Sequence, residues 1–218
     1  MTAPAVLAPW HRDYPGLIAG SMYAAAPGDR LAAATALAHA GMTIHADLMA
    51  VGEGLPEGVA LDDLRAAADR VLPARIDVHL IGSADFVDDV LDDVLATGPA
   101  RVILPWDAFT DGRAAAIRAA DAGAWITVWD EWDGVTDGPH WPAAPDGVLV
   151  MLIEPGTSDR CRIARLNLVT ACTVGHPELP VMVDGGVTEV IAPLCVTAGV
   201  TQMVVGRALL NSNRREAT

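Results

Sequence analysis

The apolar positions of the chain gather into short runs, at residues 16–22, 42–49, 75–81, 101–104, 124–129, 147–153, 180–184 and 202–205. Between them lie longer, Ala-rich stretches with helical spacing, near 27–40, 61–71, 83–96, 111–122, 159–174 and 189–198, several opened by Asp or Ser in capping positions. The runs read as strands that are apolar on both faces, and such strands pair in parallel under a cover of helices. Eight strand candidates in 218 residues predict a single-domain (β/α)8 TIM barrel, although a doubly wound open sheet gives the same alternation. The fifth helix is the exception. Where it should fall, residues 130–146 read DEWDGVTDGPHWPAAPD, a composition of turns that predicts a short helix or a loop. No Ser/Gly/Pro-rich linker divides the chain, so we expect one domain over 1–218, with 1–15 and 211–218 as terminal extensions.

Composition narrows the function classes. Although 52% of the residues are hydrophobic, no run reaches the ~18 residues that span a bilayer, and the first residues lack the basic start of a signal peptide. The expectation is a soluble, cytoplasmic protein that does not bind membranes. The formal charge is −14 and no Lys/Arg stripe could neutralise phosphodiesters, which argues against nucleic acid. Cys161, Cys172 and Cys195 are odd in number and form no Cys-x-x-Cys pair, so they read as small buried apolar residues.

Against that apolar background, polar residues stand out near the ends of three strands. In IHADLM, His45 and Asp47 are two residues apart and share a face; in IDVHLI, Asp77 and His79 do the same; VMVDGG ends on Asp184. An unpaired polar group in such a strand costs several kcal/mol or so. In a barrel these strand ends converge on one mouth, where two imidazoles and two carboxylates make a shell for one divalent ion such as zinc, iron, manganese or cobalt. The plainer reading of each residue is a hydrogen-bonded structural group. Asp77 lies one residue pair earlier on its strand, lower in the barrel, and reads as structural.

These motifs resemble the ribulose-phosphate 3-epimerase family, in order along most of the chain. LIAGSM (17–22) is similar to its first strand, IHADLM to its His-x-Asp-x-Met strand, IDVHLI to its third, GVLVMLIEPG to its sixth and VMVDGGV to its seventh. The resemblance implies a barrel of the ribulose-phosphate-binding type with His45, Asp47, His79 and Asp184 as metal ligands. It also implies inversion of a carbon next to a ketone through an enediolate, with Asp47 and Asp184 as acid and base on opposite faces. Met49 and Met151 match methionines around the enediolate, their alternative being ordinary core packing. Ser21, Gly156, Gly185, Gly186 and Gly206 fall at substrate-binding positions, and the expected partners are a sugar or sugar phosphate and further copies of the chain in a homo-oligomer.

The departures lie around the substrate. AVGEGLPEG follows Met49 where the family has Asp-Gly and a Val-Pro-Asn loop, and EPGTSDR places Glu154 where the family has Asn and then a glycine-rich loop. A carboxylate there opposes a phosphate. After strand eight, VVGRAL is similar to the orotidine-monophosphate decarboxylase group, whose arginine holds the substrate phosphate, so Arg207 is either a phosphate ligand or a helix-start arginine in solvent. Trp106, Trp129 and Trp132 stand among acidic residues on loops expected at the mouth. They suit a sugar ring, an apolar extension or a cationic group, or else pack outer helices or a subunit contact. Two rival functions remain. One is another isomerase or lyase of the phosphate-binding barrels, against which the absence of lysine counts; the other is a non-catalytic sugar-binding barrel.

Overall fold

The computed structural model describes residues 7–71, 75–135, 138–157 and 159–210. Eight parallel strands close on themselves: β1 (Ile18–Ser21), β2 (Thr43–Met49), β3 (Ile76–Ile81), β4 (Arg101–Leu104), β5 (Gly123–Val128), β6 (Gly147–Met151), β7 (Val181–Asp184) and β8 (Gln202–Val205). The pairing of Ile18 with Met203 and of Gly20 with Val205 joins first strand to last, which excludes the open sheet. The helices are α1 (Arg30–His39), α2 (Leu61–Val71), α3 (Ala84–Leu95), α4 (Asp111–Ala119), α5 (Leu166–Gly175), α6 (Ala192–Ala198) and α7 (Arg207–Leu210). Among the described residues none is long and apolar enough to cross a membrane.

The Gly/Pro/Asp-rich segment after β5 holds no helix among its described residues. Two helices start later than their apolar spacing predicts. The α5 helix opens at Leu166 rather than near 159, after a 3-10 turn (Ile163–Arg165) whose Arg165 donates to the carbonyl of Met151 at 2.6 Å and to that of Trp129. The α6 helix opens at Ala192, with Pro193 in its first turn, where the missing N–H leaves no bond unmade. Residues 9–13 form a 3-10 turn whose buried Trp10 donates to the Ala208 carbonyl, so this part of the expected N-terminal extension packs on the barrel. Residues 1–6 and 211–218 lie outside the described residues.

Two cores result. The larger lies between strands and helices; the smaller fills the cylinder with Ala19, Ile103, Trp125, Leu149, Met151, Met182 and Val204. Trp125 is the bulkiest of these, and position 147 has room only for glycine because an added Cβ would meet its ring at 2.4 Å. Below Trp125 the barrel floor is polar. Arg101 stacks on the indole at 4.8 Å, donates two 2.7 Å bonds to the fully buried Asp77, and bonds to Gln202. Asp77 is thus consumed by the floor. Burial pushes its carboxyl above the usual range, against the pull of Arg101.

Candidate metal centre and cavity at the barrel mouth

The period of two along β2 aims His45, Asp47 and Met49 at the barrel axis, and the register of β2 on β3 sets Asp47 beside His79. The Asp47 Oδ1 atom lies 3.2 Å from His45 Nε2 and 3.2 Å from His79 Nδ1, while Oδ2 accepts from the Ser21 hydroxyl at 3.3 Å. Asp184 reaches the same point from the tip of β7. There the chain turns away at once through Gly185 and Gly186, with φ of +111° and +67°. A side chain at Gly185 would be strained by that angle and would press on the Ile153 backbone nitrogen at 2.8 Å.

One donor atom from each of His45, Asp47, His79 and Asp184 lies within 4.8 Å of the others. Ligands held about 2.1 Å from a tetrahedral ion stand about 3.4 Å apart, so a small inward movement closes this set around one cation. The donors, two imidazole nitrogens and two carboxylates, suit the divalent transition metals. His79 also has the outer partner that such ligands usually have: its Nε2 is 3.0 Å from the Thr127 hydroxyl. That hydroxyl can accept Nε2–H, leaving Nδ1 as a lone pair for an ion. For His45, Nδ1 is buried with no hydrogen-bond partner among the described residues.

The charges are strongly coupled. Burial on its own would lower His45, but Asp47, with help from Asp184 and Asp77, outweighs it and lifts the imidazole to about 9. Burial opposes ionisation of Asp47 too, yet the two imidazoles hold its carboxyl well below the usual range. His79 is lowered, chiefly by burial. Asp184 is pushed up to about 7, first by burial and then by the charge of Asp47. The protein's own groups therefore hold the two carboxyls apart, Asp47 below and Asp184 above the usual carboxylate range.

Above the cluster opens a cavity of about 1620 Å³. Its wall includes Asp47 and Asp184 themselves, with Ser21, Met49, Met151, Gly156, Gly185, Gly186, Gly206 and Arg207. His45 and His79 lie beneath, and His79 borders a second, smaller pocket of about 160 Å³ with Trp106, Thr127 and Trp129. Glu154 is exposed and stands off the large cavity. None of Trp106, Trp129 and Trp132 lines it either. Trp106 packs on Trp141 at 5.5 Å, Trp132 is buried in the outer core, and Trp129 carries the guanidinium groups of Arg162 and Arg165 on its ring. The sequence reading missed Thr127 and, on the cavity wall, Trp10, Arg12, Tyr23 and Arg30. Thr127 had a visible signal, since it lies between the inward-facing Trp125 and Trp129 at the same parity.

If Thr127 orients His79, Thr127→Val should fold normally but bind metal about 10- to 100-fold more weakly. Competition against a chromophoric chelator measures this directly, and unchanged affinity would remove Thr127 from the site.

No protein-family model matches the chain. Among solved structures it is similar to orotidine 5'-phosphate decarboxylase from Pyrococcus horikoshii OT3, at 15% identity and a TM-score of 0.59 over 90% of this chain and 92% of that one. It is also similar to phosphoribosyl anthranilate isomerase from Thermus thermophilus, at 13% identity and a TM-score of 0.58 over 88% of each chain. At such identities the likeness establishes a shared barrel fold.

Proposed function

We propose that the chain is a divalent-metal-dependent epimerase that inverts a carbon next to the ketone of a ketose or ketose phosphate, in the manner of the ribulose-phosphate 3-epimerases its motifs resemble. The observation that carries this reading is the convergence of His45, Asp47, His79 and Asp184 within 4.8 Å, with both carboxylates on the wall of a large cavity. A divalent ion held by these four side chains supplies Lewis-acid stabilisation for negative charge on the ketone oxygen.

The remaining work falls to the chain itself. Asp47 and Asp184 arrive from β2 and β7, on either side of β1 and β8, so a substrate over the mouth has a carboxyl on each flank. Inversion needs a base on one face of the carbon and an acid on the other. Asp47 and Asp184 are the carboxyl groups on the cavity wall beside the cluster, and they provide that pair, one accepting the proton as the other returns one. Met49 and Met151 supply soft apolar walls that keep water from the reacting carbon. The chain has no lysine, so Schiff-base chemistry has no nucleophile here and carboxylate proton transfer is the route the residues support.

The experiment is incubation of metal-loaded protein with free and phosphorylated ketoses in deuterated water. Deuterium entering the carbon beside the carbonyl of one substrate is the expected result; no exchange across the panel would reject the reaction. Metal loading has its own signature. Near pH 7.5 an entering ion must displace the His45 proton and part of that on Asp184, so uptake should release about one to two protons. Calorimetry in buffers of different ionisation enthalpy reads this number, which should fall toward zero as the pH passes 9.

A further inference from the structure

The cavity has a second feature, and its interpretation rests on reading the cavity as the substrate site. Arg30, the first residue of α1, borders it yet is only 3% exposed. Its Nη1 donates one long bond, 3.3 Å, to Asp63 of α2, and its guanidinium lies 5.9 Å from the Tyr23 ring centre. Its Nε is buried with no hydrogen-bond partner among the described residues. A guanidinium has five N–H donors and cannot shed its charge, so burial on these terms leaves the Nε–H unsatisfied where buried arginines are normally saturated. A helix-start arginine with no ligand to meet would extend into water and keep its hydration.

Position supports a role toward the substrate. Strand β1 ends at Ser21, whose hydroxyl touches Asp47, and Tyr23 follows two residues later on the same cavity wall. At 3.8 Å per residue, Tyr23 Cα lies within about 8 Å of Ser21 Cα, so a group beside Arg30 and a carbon above Asp47 can belong to one small molecule. We infer that Arg30, backed by the Tyr23 ring, forms an oxyanion subsite on the β1 side of the cavity, and that the substrate carries a carboxylate or phosphate which docks there. The planar fork of a guanidinium matches two oxygens of either group. Arg207, exposed at the start of α7, borders the same cavity.

Calorimetric titration of the purified protein with sodium phosphate, and separately with sodium acetate, tests it without reference to turnover. The expected result is saturable binding of one of the two anions, weakened about 10- to 100-fold by Arg30→Gln, less by Arg30→Lys, and retained in Asp184→Asn. Phosphate binding alone assigns a phosphate ester and acetate binding alone a carboxylate. Equal affinity in Arg30→Gln and wild type, a loss that follows Arg207→Gln instead, or no binding of either anion to wild type overturns the subsite. Should circular dichroism show Arg30→Gln unfolded, Arg30→Lys decides: weaker binding than wild type supports the subsite and equal binding overturns it. Arg30-dependent binding in a protein that exchanges no deuterium removes the reaction and keeps the subsite, whereas exchange with Arg30-independent binding does the reverse.

Discussion

Asp47→Asn and Asp184→Asn should each lower solvent deuterium exchange into the substrate by about 1,000-fold or more, while moving stability in opposite directions. Either change keeps the shape of the side chain but removes the group that accepts or returns a proton, and each also removes a metal ligand. Their folding effects differ because their surroundings differ. Asp47 is the counter-charge of His45 and bonds to His79 and Ser21, so its loss strands a buried imidazolium. Asp184 is instead held in an environment that disfavours its charge. A carboxyl raised in the folded state loses stability as the pH climbs from the ordinary carboxylate range through about 7, and is neutral in both states below it. Chelator-treated Asp184→Asn should therefore melt higher than chelator-treated wild type at pH 8, with the gap closing below pH 4. Exchange retained in both variants would reject their assigned roles.

The second large effect concerns the opposite end of the cylinder. Arg101→Met should destabilise the protein by about 3–5 kcal/mol, because it leaves the Asp77 carboxylate buried without a partner and removes the stack on Trp125. The double variant Arg101→Met, Asp77→Leu should recover much of that loss, since an apolar pair of similar size often replaces a buried ion pair at little cost. Denaturant unfolding measures both. The double variant should still bind one metal ion, because neither floor residue is among the four mouth ligands.

The strands were legible because each is a run of apolar residues bounded by turn residues, and the alternation in IHADLM and IDVHLI told which side chains look inward. The loop after β5 was legible in the same way, from Gly, Pro and Asp. Closure was not. An open sheet and a barrel share one alternation, and only the pairing of Ile18 with Met203 separates them. Register was hidden for the same reason, so the sequence could place His79 near the mouth but not beside Asp47. Arg30 was invisible because a helix-start arginine normally reads as solvated; its burial comes from the packing of α1 beside α2, a contact between residues 33 apart.

A metal-assisted reaction at this mouth requires its four ligands to share one ion. Metal content of protein dialysed against a slight excess of divalent ion and then desalted, compared between wild type and His45→Ala, Asp47→Ala, is the most direct test. We predict one ion per chain for the wild type and essentially none for the double variant. Wild-type protein that retains no ion, or a double variant that retains as much, would contradict it.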